Sequence, residues 1–224
     1  MITEKQMIVN PVPAKTWYWL RMNERRIPVS EGALPYEPVF TADNAAISRD
    51  LSSLSSLEGS CGKEAAALVR ATVQEAPVFT ADSSAPARVK TVLDLPAGAT
   101  SVSRLGLVVP EGGSMVCIMD FTTAPDAEGT AFAETLITLG KQAHLTLVQI
   151  FRTGDSFRLI NDIGAGVEEM GRIDLINIVF SGAENDLGCR FALEGKRAHA
   201  RIRTGYTVNK DHYLDFNYLV PHFG

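Results

Sequence analysis

Four histidines, His144, His199, His212 and His222, and three cysteines, Cys61, Cys117 and Cys189, are the side chains of this 224-residue sequence best suited to hold a metal or to pair a nucleophile with a base. Their spacing argues against both. No two cysteines stand as C-x-x-C, so neither a zinc knuckle nor a dithiol redox pair is encoded. His212 and His222 fall on one face of a period-2 stretch, but extended chain would hold them roughly 33 Å apart, too far to share one ion. They read as edge or core histidines bonded to neighbouring backbone. Cys189, in CRFALEG, reads as a small buried hydrophobe, because a reactive thiol needs an electropositive, partly open setting.

Phosphate chemistry fares no better. IGAGVEEMG (163–171) begins as G-x-G, but its next glycine comes too late for G-x-G-x-x-G and no long helix follows. G-x-x-x-x-G-K-[ST], H-E-x-x-H and G-x-S-x-G are all missing. The acidic pairs Glu168/Glu169 and Glu184/Asp186 lie in turn-like polar stretches and read as solvated surface. A net charge of -5 with dispersed Lys and Arg speaks against nucleic acid as the main partner. The one basic cluster, GKRAHARIRTG (195–205), reads as a solvated strand face, since Arg201 and Arg203 alternate with Ile202. An odd cysteine count fits a reducing compartment. With no apolar run near ~20 residues and no basic-then-apolar leader, a cytoplasmic protein with no membrane contact is expected.

The elements that would carry these residues divide at about residue 87. Before it, PVPAKTWYWLRMNERRIPV (11–29) sets Trp17, Leu20 and Arg21 in a short helical pattern between Pro13 and Pro28. DNAAISRDLSSLSSLEGS (43–60) is a weak helix or a flexible connection, and GKEAAALVRATVQEA (62–76) is a helix with Ala65, Val69 and Val73 on one stripe. PVFTAD occurs at 38–43 and again at 77–82, by local duplication or as two short strands with the same edge role. After residue 87, runs such as SMVCIMDFT, AHLTLVQIF and RIDLINIVF alternate with turns such as PAGAT and PEGGS. Spacing alone favours an antiparallel sandwich or barrel, with a parallel β-helix as the minority alternative. The division is therefore a helical and linker region over 1–86 and a β body over 87–224.

In the closing stretch, DHYLDFNYLVPHFG, His212, Leu214, Phe216, Tyr218, Val220 and His222 share one face and Tyr213, Asp215, Asn217 and Leu219 the other. With LINIVFSG, a strand closing on LEG, ARIRTGY, and HYLDFNYLVPH in which Asp215 precedes His222 by seven positions, residues 175–224 resemble the SufB/SufD family of iron-sulfur cluster assembly proteins. PAKTWYWLRMN is similar to the Trp-containing amino-terminal segment of shorter SufD-like proteins.

The resemblance implies a right-handed parallel β-helix, incomplete here, with an N-terminal α-helical region, and it overrides the sandwich. It further implies a SufD-like scaffold subunit of a SufBCD complex, not an enzyme, with SufB-like and SufC-like (ATPase) partners. No cofactor is expected on the isolated chain, the iron-sulfur cluster arising only in the assembled complex. The core-strand cysteine through which SufB proteins handle sulfur aligns with Phe191, with Cys189 two positions earlier on the same face. Family members continue past His222, so the last strand is expected to be an internal rung of a truncated form, an incomplete gene product or a fragment, prone to self-association through residues 212–222. Cys189, Asp215, Phe216 and His222 are the candidate scaffold or interface residues. The competing reading is a stand-alone β-rich enzyme or a binding protein for a small molecule or glycan.

Overall fold

A computed structural model describes residues 6–13, 24–29, 32–209 and 211–223. The described chain runs through β1 (Gln6–Val9), β2 (Arg25–Pro28), β3 (Leu34–Pro35), β4 (Val39–Asp43), β5 (Ala45–Ser48), α1 (Lys63–Thr72) and β6 (Val78–Ala81). Ten longer strands follow: β7 (Ala87–Asp94), β8 (Thr100–Val109), β9 (Ser114–Thr122), β10 (Glu128–Leu139), β11 (His144–Arg152), β12 (Ser156–Val167), β13 (Arg172–Val179), β14 (Glu184–Leu193), β15 (His199–Tyr206) and β16 (Tyr213–Leu219).

From β6 onward, strands adjacent in sequence never pair with each other. Odd strands build one sheet, in the order β15-β13-β11-β9-β7-β4, and even strands the other, in the order β16-β14-β12-β10-β8-β6-β5. Every pairing from β6 through β16 within these sheets is parallel. The chain thus coils as a two-sheet parallel β-helix of about five turns. Gly129 lies beside Phe157, so one turn takes roughly 28 residues.

The antiparallel sandwich favoured by spacing is therefore corrected, and the reason is physical. A turn such as Pro110–Gly113, with Gly112 at a φ of 70°, can close a hairpin or carry the chain across to a facing sheet. Composition does not distinguish the two outcomes.

Period-2 alternation turns one set of side chains inward, and parallel register stacks them turn upon turn. On the odd sheet Val89, Cys117, Leu147, Leu175 and Ile202 form one such ladder. Leu93, Phe121, Phe151, Val179 and Tyr206 form another, in which the rings of Phe121 and Phe151 stack with centroids 4.9 Å apart. The even sheet opposes them with Leu107, Ile137, Ala165 and Phe191. Each fully buried Leu, Ile, Val or Phe contributes about 1.5–3 kcal/mol, so the coil is held mainly by these ladders.

The two PVFTAD copies supply β4 on the odd sheet and β6 on the even one, and Phe40 meets Phe79 edge to face at 5.1 Å. The copies do not share an edge role, since β4 ends the odd sheet while β6 lies between β8 and β5 on the even one. The helix expected over 62–76 is α1, with Ala65 and Val69 buried. Residues 43–60 hold β5 and a short 3-10 turn at Ser52–Leu54. The Trp17/Leu20/Arg21 pattern lies outside the described residues. Residues 51–61 run as a strap, and with α1 and the β1–β2 hairpin they cover the outer face of the even sheet. There Leu54, Val69, Met7 and Ile27 pack with Val102, Phe132, Leu136 and Ile160.

Candidate functional site

Two polar constellations interrupt the apolar packing. The first is inside the coil. Thr91, Met119, Gln149, Asn177 and Thr204 form an inward ladder on the odd sheet. Asn161, from the even sheet, donates to Gln149 Oε1 at 3.0 Å while Gln149 Nε2 reaches Asn161 Oδ1 at 3.4 Å and Met119 Sδ at 3.4 Å. Toward the last turn, Tyr218 Oη accepts from Asn177 Nδ2 at 3.1 Å and meets Thr204 Oγ1 at 3.0 Å. Gln149 with Asn161, and Tyr218 with Asn177 and Thr204, thus bond across the two sheets, while Thr91 Oγ1 and Asn177 Oδ1 are buried without a partner among the described residues. Cross-sheet bonds of this kind favour one packing arrangement of the interior over its alternatives.

The second constellation is the seam between the strap and the outer face of the even sheet. Glycine permits it: an added Cβ at Gly188 would stand 2.6 Å from Ser60 Oγ and 2.7 Å from Cys61 Sγ, and one at Gly164 would stand 2.9 Å from the Glu58 carbonyl. The strap thus lies at backbone distance on β12 and β14. Asp162 accepts from the Ser60 N-H at 2.8 Å. Burial pushes its carboxyl up to about 6, against the partial relief of the Ser60 and Cys61 amides. Asn217 donates to the Ser60 carbonyl at 2.9 Å, and Ser60 Oγ donates back to the Asn217 carbonyl at 2.6 Å.

Arg25, on β2, closes the other end of the seam. Its Nη1 donates to Asp186 Oδ2 at 2.6 Å, its Nη2 pairs with Glu184, and its guanidinium lies 4.0 Å over the Tyr213 ring. Glu184 also receives Arg158 Nε at 2.5 Å, and the Arg158 and Arg25 bonds hold its carboxyl below the usual range. Asp186 is fully buried, and burial outweighs Arg25, so its carboxyl is pushed up to about 6. Asn10 Nδ2 donates to Asp215 Oδ2 at 3.1 Å, and the Asn10 amide is anchored on the Cys61 carbonyl at 2.9 Å. Behind these residues Arg104 and Glu134 form a buried pair at 2.7 Å, and Arg104 also holds the Val73 carbonyl at the end of α1.

The expectation that Glu184 and Asp186 are solvated surface is overturned, since both lie in β14 beneath Arg25. The residues that sequence reasoning missed, Asp162, Asn10, Arg25 and Asn217, are brought together by strands far apart in the chain. A usable signal was present: N-D-I-G at 161–164 returns as N-D-L-G at 185–188, each placing a carboxylate and a glycine on the same outward face.

The structure sets Cys189, Asp215 and Phe216 on the paired strands β14 and β16, with Cys189 and Phe216 on the inner face and Asp215 on the outer one. Cys189 and Phe191 both point into the core with no exposure. Burial holds the Cys189 thiol well above its ordinary range and pushes Cys117 up to about 12, while Cys61 is also raised, by burial and by Asp162 and Asp186. All three cysteines are free and buried. Phe216 faces inward, half-buried, its ring 5.8 Å from Tyr206 and 5.4 Å from Tyr218. Asp215 faces outward into the seam. His222 lies beyond β16, bridged to Leu193, and His212 sits 3.9 Å from Asp155. Arg201 and Arg203 stand on the exposed face of β15, as the alternation with Ile202 requires. Among the described residues no three His, Cys, Asp or Glu side chains converge to hold a metal, and no helix is long and apolar enough to cross a membrane.

A two-sheet parallel coil with a polar seam under its amino-terminal cover defines a β-solenoid. Residues 93–224 match the model of the SUF system FeS cluster assembly SufBD core domain. The chain belongs to the SufB/SufD family and is an iron-sulfur cluster assembly protein of that type. No match is found among curated proteins or among solved structures.

Proposed function

We propose that the chain is a SufD-like scaffold subunit that catalyses nothing itself, holds no cluster when alone, and works through contacts with a SufB-like partner and a SufC-like ATPase. The observation that supports this reading is the last turn. Among the described residues no strand pairs with the outer edges of β15 and β16. The inward residues there, Ile202, Leu214, Phe216, Tyr218 and Val220, are only partly buried, and Tyr206, Tyr213 and Phe223 are exposed. Unpaired backbone beside an apolar rim is a surface onto which a second chain adds strands. The burial of all three thiols and the lack, among the described residues, of three converging His, Cys, Asp or Glu side chains favour a cluster carried as cargo of the assembly.

Co-expression with SufB-like and SufC-like proteins of the same cell tests the proposal, with size-exclusion chromatography and light scattering as the readout. A complex carrying the cluster is expected, and Phe216→Lys should disrupt it while a thermal melt checks that the variant still folds. The chain alone should self-associate through residues 212–222 and should yield no stoichiometric cluster on anaerobic reconstitution. A monomer that held such a cluster and lost it in Cys189→Ser would overturn the reading, as would failure to bind either partner.

A further inference from the structure

We propose that Asp186, Asp215 and the amide oxygen of Asn10 form a binding site for a small, hard divalent cation where the amino-terminal strand meets the last even strands. Asp186 and Asp215 are register partners on β14 and β16 with both side chains on the outer face. Parallel neighbours stand about 4.8 Å apart, which lets two carboxylates reach one ion between them. Asn10 brings its amide to the same place, its Nδ2 on Asp215 Oδ2 at 3.1 Å.

Among the described residues, two oxygens at this junction are left without a partner. Asp186 Oδ1 and Asn10 Oδ1 are both buried and neither accepts a hydrogen bond, although Asp186 has no exposure and Asn10 only 3%. A buried acceptor without a donor costs about 1–3 kcal/mol, so two in one cluster point to something that fills them. Arg25 does not, because it occupies the other oxygen of Asp186 and then turns to Glu184.

The charges agree. Glu184 and Asp186 face the guanidiniums of Arg25 and Arg158, and Asp215, held by Asn10, adds a third carboxylate, which leaves an excess negative charge beneath the cover. The donor set is oxygen only, since the nearby Cys61 Sγ points at the Asn161 carbonyl at 3.4 Å. Such donors select calcium, magnesium or manganese over softer metals. The ion would tie residues 6–10 to β16, linking the amino-terminal cover to the turn of the coil that carries the open edge. The inference stands apart from the scaffold reading, because it is tested on the isolated chain.

The test is titration of the chelator-treated chain with Mn2+ alone, followed by electron paramagnetic resonance, with Ca2+ as a second probe in thermal melts and hydrogen exchange. One Mn2+ per chain is expected, with slower exchange at residues 7–10 and 214–216 when Ca2+ is present. Asp215→Asn should weaken Mn2+ binding at least tenfold, and Asn10→Ala supplies the same test should Asp215→Asn fail to fold. Absence of stoichiometric Mn2+ binding, which would leave an ordered water as the occupant, overturns the proposal. So does wild-type affinity in the folded variants, which would place the ion elsewhere on the surface.

Discussion

Replacing Asp162 by Asn should stabilise the protein at pH 7.5 and not at pH 4. Asp162 is a buried carboxylate with no cation partner among the described residues, its carboxyl raised from 3.8 to about 6 chiefly by burial. A raised pKa means that the native state holds its proton more tightly than the unfolded chain does. The associated stability is complete below about pH 4, falls as pH rises through 6, and stays lost above it. A gap of about 2 units corresponds to about 3 kcal/mol at neutral pH. Asn keeps one acceptor for the Ser60 N-H but returns a donor where the Cys61 amide lies, a cost of about 1 kcal/mol.

The variant should therefore gain about 2 kcal/mol at pH 7.5 and lose about 1 kcal/mol at pH 4. Urea unfolding followed by far-UV circular dichroism at those two values gives the comparison, and both lie clear of the pI near 5.4. Subtracting the wild type at each pH removes the other titrating groups, among them Asp186, which is raised in the same direction, and Glu184, which is lowered. Equal destabilisation at both values would refute the reasoning, because it would mean that Asp162 acts as a hydrogen-bond acceptor with no penalty for its charge.

Three further outcomes are expected. Gly188→Ala pushes a methyl toward Ser60 Oγ and Cys61 Sγ and should cost about 1–3 kcal/mol, with faster hydrogen exchange over residues 51–61 and unchanged protection in β9, β11 and β13. Arg25→Met leaves buried Asp186 without its guanidinium; a loss of about 3 kcal/mol is expected in urea at pH 7.5, and a smaller one at pH 4, where Asp186 is protonated. The thiols of Cys61, Cys117 and Cys189 should be inert to an aromatic disulfide reagent at pH 8 until the chain is unfolded, and rapid labelling of the native protein would contradict their burial.

The odd strands were legible because they have one face on the core and one toward solvent. His144–Arg152, HLTLVQIFR, alternates buried and partly exposed residues along its length, and the period is visible by eye. The even strands hid their role. Ser156–Val167, SFRLINDIGAGV, is buried on both faces over most of its length, one by the coil and one by the strap, so its polar residues looked like breaks between strands. The same masking hid the seam. Asp162 and Asp186 become unusual only once Ser60 and Arg25 lie over them, and those partners are 102 and 161 positions away in the chain. What periodicity left open was the topology, since the ladders repeat side-chain size and not identity. Val89, Cys117, Leu147, Leu175 and Ile202 have no sequence repeat to betray the roughly 28-residue turn, and the parallel coil was reached through the resemblance of residues 175–224.

The coil and its cover are held by different physics, and the difference decides which opens first. Ladders such as Leu93, Phe121, Phe151 and Val179 tie each turn to the next by apolar burial, which no change of pH or salt removes selectively. The cover rests on its own apolar cluster around Leu54, Val69 and Phe132, but its approach to the coil end is through buried ions: Asp162 without a cation, Asp186 with half of its carboxylate satisfied, and Arg25 shared between two acids. A buried charge that lacks full compensation lowers the stability of the state that buries it. The strap and the β1–β2 pair are therefore expected to open before the ladders do, which faster hydrogen exchange at residues 51–61 than in β9, β11 and β13 would check. Because Asn10, Arg25 and Ser60 touch β14 and β16, that unit reports on the same last turn whose edge is open.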